Sequence, residues 1–250
     1  MLRVIGRVVK WFIFGVAGII VLVIFAIIFS EEDVQFSAEP VEPDWAAIAA
    51  WPGIDAEDVD ARPDPGRAYT AIILDDSGSM GSDIVPAREA VIASLDAMGT
   101  EDRVAVIALN AGVILPFTRV YDAQATLPAL LEPVISEGGT PLTGALAAAR
   151  TGLAQEAAVA GGFGTYRILV TTDGAADDAM ALQAEVEEIA RVTPIQIATI
   201  GVGISGNHIL RRNDLAAFVG IDDVAQLAAA LRDAIAEEQT FSAITSFGDG

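Results

Sequence analysis

Apolar residues first form one long uninterrupted run and later recur in short runs separated by helical patterns. The long run, residues 11–29, carries no charged side chain. As a helix it would measure about 28 Å, close to the roughly 30 Å hydrocarbon core of a bilayer. Basic residues precede it and acidic residues follow it at once, so the positive-inside rule predicts a cytoplasmic segment at 1–10 and a transmembrane helix at 11–29. A cleaved signal peptide is the alternative, but its apolar region is usually only about 7–15 residues long.

Strand and helix patterns alternate from residue 68 onward. Apolar runs predict strands over 68–75, 103–109, 112–120, 166–172, 194–202 and 216–220. Apolar stripes predict helices over 83–98, 124–134, 140–157, 178–191 and 222–237. Strands that alternate with helices favour an α/β fold, in which helices cover both faces of a doubly wound, mostly parallel sheet. We therefore predict one domain over 68–237 and a loosely ordered tail over 238–250.

The segment between the long apolar run and this domain, residues 30–67, has the composition of a linker. It contains many acids and several prolines, which is typical of an extended tether that repels itself. Within it, "PDWAAIAAW" predicts a short helix capped by Asp44. For Trp45 and Trp51 two alternatives remain open, packing on the domain or lying at the membrane interface.

The charge balance narrows the classes of partner. The formal net charge is −21, and the only lysine is Lys10. Such an acidic protein repels phosphate backbones, so we expect no binding of nucleic acid. The chain has no cysteine, which excludes disulfides and thiolate metal sites. A protein with this negative charge attracts divalent cations.

Oxygen-bearing side chains collect where predicted strands end. In an open parallel sheet, ligands bind outside the carboxyl ends of the strands. The segment "DDSGSM" (75–80) follows one strand and "TTDG" (171–174) ends another, while "GGTPLTGAL" (138–146) opens a helix. Carboxylates and hydroxyls are ligands of hard cations, which prefer oxygen. The candidate metal ligands are Asp75, Ser77, Ser79, Thr140 and Asp173. Only two of these side chains are charged, so a bound cation keeps a residual positive field. It also keeps an open coordination position, and a carboxylate of a partner could fill that position.

These three segments resemble the metal-ion-dependent adhesion site of the von Willebrand factor A domain family. The family pattern is Asp-x-Ser-x-Ser followed by a distal Thr and a distal Asp, and the resemblance covers about residues 68–237. It implies a central sheet of about six strands with one antiparallel edge. It also implies that the five candidate residues hold a divalent cation, directly or through water, and that this cation mediates protein binding. Magnesium is the expected cation, with manganese or calcium as alternatives.

Four further residues are candidates for contact with a partner. Asp76 and Glu137 flank the predicted metal ligands, and Arg211 with Arg212 forms a small basic spot on an acidic protein. Asp76 could also support the metal ligands without binding the cation itself, but for both acids the simpler reading is a solvated loop residue.

Three classes of function remain to be compared. The first is a membrane-tethered module that binds a protein partner through the cation. The second is a structural subunit of a membrane complex, in which the metal serves stability alone. The third, a phosphatase or other hydrolase, is disfavoured because the chain lacks a phosphate-binding loop, a Gly-x-Ser-x-Gly segment and any lysine after residue 10. We therefore predict a non-enzymatic single-pass membrane protein with its domain on the outer side, which is the periplasm if the source is a bacterium.

Overall fold

The structure is a computed structural model that describes residues 40–53, 64–204, 208–212 and 214–236. The predicted basic segment, transmembrane helix and C-terminal tail lie outside these residues. No helix among the described residues combines the length and the apolar composition needed to cross a membrane.

Six strands form one sheet with the order β3-β2-β1-β4-β5-β6. The strands are β1 (Ala68–Leu74), β2 (Arg103–Ala108), β3 (Gly112–Arg119), β4 (Thr165–Thr172), β5 (Gln196–Val202) and β6 (Ala217–Ile221). Only β3, at one edge, is antiparallel to its neighbour. The predicted α/β fold, with its mostly parallel sheet and antiparallel edge, is therefore confirmed.

Helices cover both faces of this sheet. They are α1 (Trp45–Ala50), α2 (Ile84–Ser94), α3 (Val120–Leu131), α4 (Leu142–Ala160), α5 (Ala179–Val192) and α6 (Leu227–Ala236). Short 3₁₀ helices lie at Gly78–Asp83, Leu95–Ala97, Ile209–Arg211 and Val224–Gln226. One apolar core lies beneath α2, α3 and α6, and the other beneath α4 and α5. Two cores on opposite faces explain why the central strands read as unbroken apolar runs.

The spacing of apolar residues determines which side of each helix is buried. In α4, the fully buried side chains of Leu142, Leu146, Ala149 and Leu153 recur every three or four residues, which is one face of an α-helix. Burying each leucine contributes about 1.5–3 kcal/mol. This face fixes α4 against β1 and thereby fixes the loop that precedes it.

Helix α3 begins four residues earlier than its sequence pattern predicts. The free amide groups of its first turn find carbonyl partners in the loop before β2: Val120 donates to Asp102 (2.9 Å) and Tyr121 to Thr100 (3.1 Å). The first amides of a helix have no partner within the helix itself. These distant carbonyls extend α3, and a local sequence pattern cannot reveal them.

Residues 40–53, here called the N-terminal strap, pack against the domain although they fall within the predicted linker. Helix α1 is capped by Asp44, whose carboxylate accepts from the Ala46 and Ala47 amides, so the predicted short helix is confirmed. Trp51 packs edge-on against Tyr166 with ring centroids 4.8 Å apart. Trp45 is 72% exposed. The structure thus resolves the alternatives for Trp51, which packs on the domain at the start of β4.

The order of the strands decides where a site can form. The chain builds β1, β2 and β3 outward in one direction and then crosses back to lay β4 beside β1. The winding reverses between these two strands, which is where ligands bind in sheets of this kind. The loops after β1 and β4 therefore share one edge, at the opposite end of the strands from the N-terminal strap.

Candidate metal centre

Asp75 is fully buried directly after β1. A buried carboxylate is stable only when its oxygens accept hydrogen bonds or bind a cation. Its Oδ1 accepts from the Ser77 amide (2.9 Å), while its Oδ2 accepts from the Thr172 hydroxyl (2.7 Å) and the Asp173 amide (3.4 Å). Asp75 therefore joins the loop after β1 to the loop after β4, as the two strand ends led us to expect.

A chain of oxygen contacts connects three more of the predicted ligands. The Ser77 and Ser79 hydroxyl oxygens lie 3.0 Å apart, and the Ser79 hydroxyl donates to Asp173 Oδ1 at 2.8 Å. Ser77 is buried, whereas Ser79 is exposed. The structure thus brings Asp75, Ser77, Ser79 and Asp173 into one continuous cluster.

The spacing of these oxygens fits a small hard cation. Neighbouring ligands in an octahedral magnesium shell with bonds of about 2.1 Å lie roughly 3.0 Å apart. The separations from Ser77 to Ser79 and from Ser79 to Asp173 are 3.0 and 2.8 Å. No group of three or more histidine, aspartate or glutamate side chains could hold a metal among the described residues. Hydroxyl ligands are therefore essential to this candidate centre.

The charges around Asp173 also favour a cation. The pKa of Asp173 lies above its ordinary value, and burial is the largest cause of this rise. The hydrogen bond from Ser79 lowers the pKa, whereas the negative charges of Asp75 and Asp83 raise it further. A divalent cation would stabilise both ionised carboxylates of the cluster.

Thr140 is held near the cluster by its backbone. Its amide donates to Asp177 Oδ1 (2.9 Å), and its carbonyl accepts from the Asp177 amide (3.1 Å). The preceding residues bind the loop after β1, since the Gly78 amide donates to the Gly138 carbonyl (3.1 Å). In the described chain, the Thr140 hydroxyl makes no hydrogen bond with the other four candidate ligands. The structure therefore places the loop of Thr140 beside the cluster.

The structure corrects both readings of Asp76, as a partner contact and as a solvated loop acid. Asp76 is 1% exposed, so it has almost no surface to offer a partner. Its Oδ1 accepts from the backbone amide (2.7 Å) and the side-chain amide (3.2 Å) of Asn110, and its Oδ2 accepts from the Ala111 amide (3.0 Å). Its carboxylate holds the turn between β2 and β3.

The other three candidate partner contacts differ from one another. Glu137 is exposed beside the cluster, with its amide bonded to the Asp76 carbonyl. Arg211 is exposed, and its guanidinium lies over the Phe218 ring at 4.9 Å. The side chain of Arg212 is only 14% exposed and forms ion pairs with Glu187 and Asp214. These contacts give Arg212 a structural role, so the structure does not support it as a partner contact.

Sequence reasoning missed three residues that hold the loops of the site together. Asn110 bonds Asp76, and Asp177 bonds Thr140. The Ser136 hydroxyl donates to the Ser77 carbonyl (2.6 Å) and accepts from the Gly81 amide (2.9 Å). All three residues lie in loops at the same edge of the sheet, and that shared edge was the one signal that could have identified them.

This fold and this arrangement of loops define a class of domain. Residues 70–175, from β1 to the loop after β4, match the family model of the von Willebrand factor type A domain. Over these residues the chain is similar to that family, in agreement with the resemblance inferred from its three motifs.

Solved structures share this fold at low sequence identity. A von Willebrand factor type A protein from Catenulispora acidiphila is 23% identical, with a TM-score of 0.58 over 68% of this chain and 42% of its own. A mussel byssus protein, proximal thread matrix protein 1 with a zinc-occupied MIDAS motif, is 16% identical, with a TM-score of 0.56 over 70% of this chain and 48% of its own. The manganese-loaded TRAP protein of Plasmodium vivax is 14% identical, with a TM-score of 0.50 over 67% of this chain and 74% of its own.

The likeness to these structures concerns the fold alone. This chain spans less than half the length of the first two of them. Among curated proteins, none matches the chain.

Proposed function

We propose that the domain binds one divalent cation through Asp75, Ser77, Ser79, Thr140 and Asp173, and that this cation binds a carboxylate of a protein partner. The observation that carries the proposal is the continuous oxygen chain from Ser77 through Ser79 to Asp173, with spacings of 3.0 and 2.8 Å. Two solved proteins of similar fold are described as holding manganese and zinc, the latter in a MIDAS motif. Magnesium is the cation we expect here.

The donor set explains why the cation would accept another ligand. Five donors leave the sixth position of an octahedral shell open, and the three hydroxyl donors add no negative charge to that of the two carboxylates. The cation, when bound, supplies a Lewis-acidic place for an incoming oxygen. Two residues of the chain would make this position accessible. Asp75 aligns the two loops, and Ser79 remains exposed at the surface, where a partner could approach.

Cation binding is tested with Mn²⁺ on the full chain, by electron paramagnetic resonance of the free ion. We expect one bound ion, weakened at least tenfold by Ser79→Ala, because a ligand is lost at an exposed position where little stability depends on it. The matched control is Asp233→Ala on α6, an exposed acid whose removal changes the net charge without touching the cluster. Equal binding by the Ser79→Ala variant would refute the site.

Carboxylate binding is tested on the Mn²⁺-loaded chain by the relaxation of water protons. A peptide that contains aspartate should displace water from the ion and lower the relaxation rate, whereas the same peptide with asparagine should not. If the ion binds and neither peptide displaces water, the metal serves stability alone, as in the alternative of a structural subunit. Hydrolysis of phosphate esters that depends on Ser79 would instead favour the enzymatic alternative.

We also propose that residues 11–29 anchor the chain in a membrane, with the N-terminus in the cytoplasm and the domain outside. The uncharged run and its flanking charges support this topology. A protease added to intact spheroplasts should digest the domain and spare a tag at the N-terminus. Digestion of the tag alone would reverse the topology, and release of the whole chain by salt would exclude an integral anchor.

A further inference from the structure

Asp76 occupies the second position of the 75–80 segment and is a buried acidic residue that the proposed cation site does not use. Three N–H groups donate to its two carboxylate oxygens, two from Asn110 and one from Ala111, at 2.7–3.2 Å. Its backbone carbonyl accepts from the Glu137 amide at 2.8 Å. One residue thus bonds both the turn between β2 and β3 and the loop that leads to Thr140.

Asn110 extends this contact to a third point. Its side-chain amide, which donates to Asp76 Oδ1, also lies 3.0 Å from the Gly139 carbonyl and donates to it. Gly138 has a φ of +73°, and a Cβ there would overlap Asn110 Oδ1, so the side chain also packs closely against this loop. We call Asp76, Asn110 and these hydrogen bonds the Asp76–Asn110 clamp.

We propose that Asp76 is a positioning residue, which acts through Asn110 to hold the Gly138–Thr140 loop in place for the cation before the cation arrives. The functional consequence rests on the proposed cation site, but the clamp itself consists only of contacts within the protein. Its loops carry Ser77, Ser79 and Thr140, so a displaced clamp would separate the ligands. Residues that orient metal ligands typically contribute about 10–100-fold to metal affinity.

Asp76→Asn is the sharpest probe because it keeps the shape of the side chain. One oxygen becomes an NH₂ group that must face an N–H donor, so at least one hydrogen bond of the clamp is lost. Asn110→Ala, at an exposed position, removes the other half of the clamp with less risk to folding. If Asp76 and Asn110 act as one unit, the double variant should bind Mn²⁺ no more weakly than the weaker-binding of the two single variants.

Thr70→Val is the matched control for general loss of stability. The Thr70 hydroxyl is buried on β1, toward the opposite end of the strand, and accepts from Arg167 Nε at 2.8 Å. Removing it breaks a buried hydrogen bond without touching the clamp.

Two measurements on the full chain test the proposal. In the metal-free chain, hydrogen exchange of peptides that cover 134–141 should become at least tenfold faster in Asp76→Asn and Asn110→Ala and change less than twofold in Thr70→Val. Mn²⁺ affinity should fall about 10–100-fold in the two clamp variants and stay within twofold in Thr70→Val.

Unchanged exchange in both clamp variants would overturn the proposal, and so would equal effects of Asp76→Asn and Thr70→Val. If the unmodified chain binds no Mn²⁺, the proposed function fails, while the exchange experiment still decides whether the clamp positions this loop.

Discussion

At the scale of single residues, Asp75 and Asp76 are chemically identical neighbours with opposite surroundings. The Asp75 carboxylate accepts from Ser77 and Thr172, whereas the Asp76 carboxylate accepts from Asn110. The motif led us to expect Asp75 at the centre of the cluster, where its hydrogen bonds hold it. For Asp76 a supporting role was only one alternative, because its partner Asn110 lies 34 residues away along the chain and could not be inferred.

The neighbouring acids Asp177 and Asp178 give a matched pair of variants. Asp177 accepts from the Thr140 amide, and Asp178 caps α5 by accepting from the Ala181 amide, both at 2.9 Å. Replacing either by Ala should lower the free energy of unfolding by about 1 kcal/mol, as for other side chains that cap amides. Only Asp177→Ala should weaken Mn²⁺ binding, because only Asp177 holds Thr140. Denaturant titrations and Mn²⁺ titrations of both variants check this, and equal affinities would contradict it.

The pH dependence of the site should follow Asp173. Its pKa in the folded chain lies above the ordinary value of 3.8, so the folded state keeps a proton that the unfolded state has lost. As pH falls through this raised pKa, the metal-free chain should gain stability and Mn²⁺ affinity should decline, because the ion and the proton compete.

Titrations of Mn²⁺ at a series of pH values measure this competition. The decline should begin at a higher pH than an ordinary aspartate would give, and it should be reduced in Asp173→Asn, which cannot be protonated. An affinity that stays constant down to pH 3.8 would contradict the expected role.

At the scale of elements, the sequence predicts what is local and misses what depends on distant contacts. The strands β1 and β4 are recognisable because nearly every residue in them is buried and each contains an apolar run. The start of α3 was placed four residues late because its first amides bond carbonyls of another loop. The 3₁₀ helix Gly78–Asp83 went unpredicted for a similar reason: the Gly81 amide within it is held by Ser136, 55 residues away.

The N-terminal strap offers a second matched pair of variants. Trp51 packs against Tyr166, which stacks on Tyr69 with ring centroids 5.1 Å apart, whereas Trp45 is 72% exposed. Trp51→Ala should lower the free energy of unfolding by about 2 kcal/mol through lost area and aromatic contact. Trp45→Ala should change it by less than about 0.5 kcal/mol. Thermal unfolding measures the stability of both variants. Similar losses of stability would mean that Trp51 does not hold the strap against the domain.

At the scale of the whole molecule, acids far outnumber basic residues, and the candidate metal centre lies in a strongly acidic protein. The formal net charge of −21 opposes the compact state through repulsion between like charges. The sequence predicted the class of fold, and four of the five candidate ligands that its motifs named lie in one cluster of oxygen contacts. It could not predict how the loops are joined, since those hydrogen bonds link residues far apart in the chain.

Binding of a cation should therefore stabilise the whole domain. A ligand present at 100 times its dissociation constant adds about 2.7 kcal/mol, which for a domain of this size corresponds to roughly 5–11 °C in Tm. Scanning calorimetry with Mn²⁺ and then with a chelator measures the gain and its reversal. Ser79→Ala should show a much smaller gain at the same Mn²⁺ concentration, and a full gain in that variant would mean that the ion binds elsewhere.

The N-terminal strap meets the domain where β1 and β4 begin, and the candidate metal centre lies where the same two strands end. A pulling force between the strap and a captured partner would run lengthwise along this pair. The ladder between β1 and β4 would then be loaded in shear, with its hydrogen bonds sharing the tension, instead of being unzipped one bond at a time.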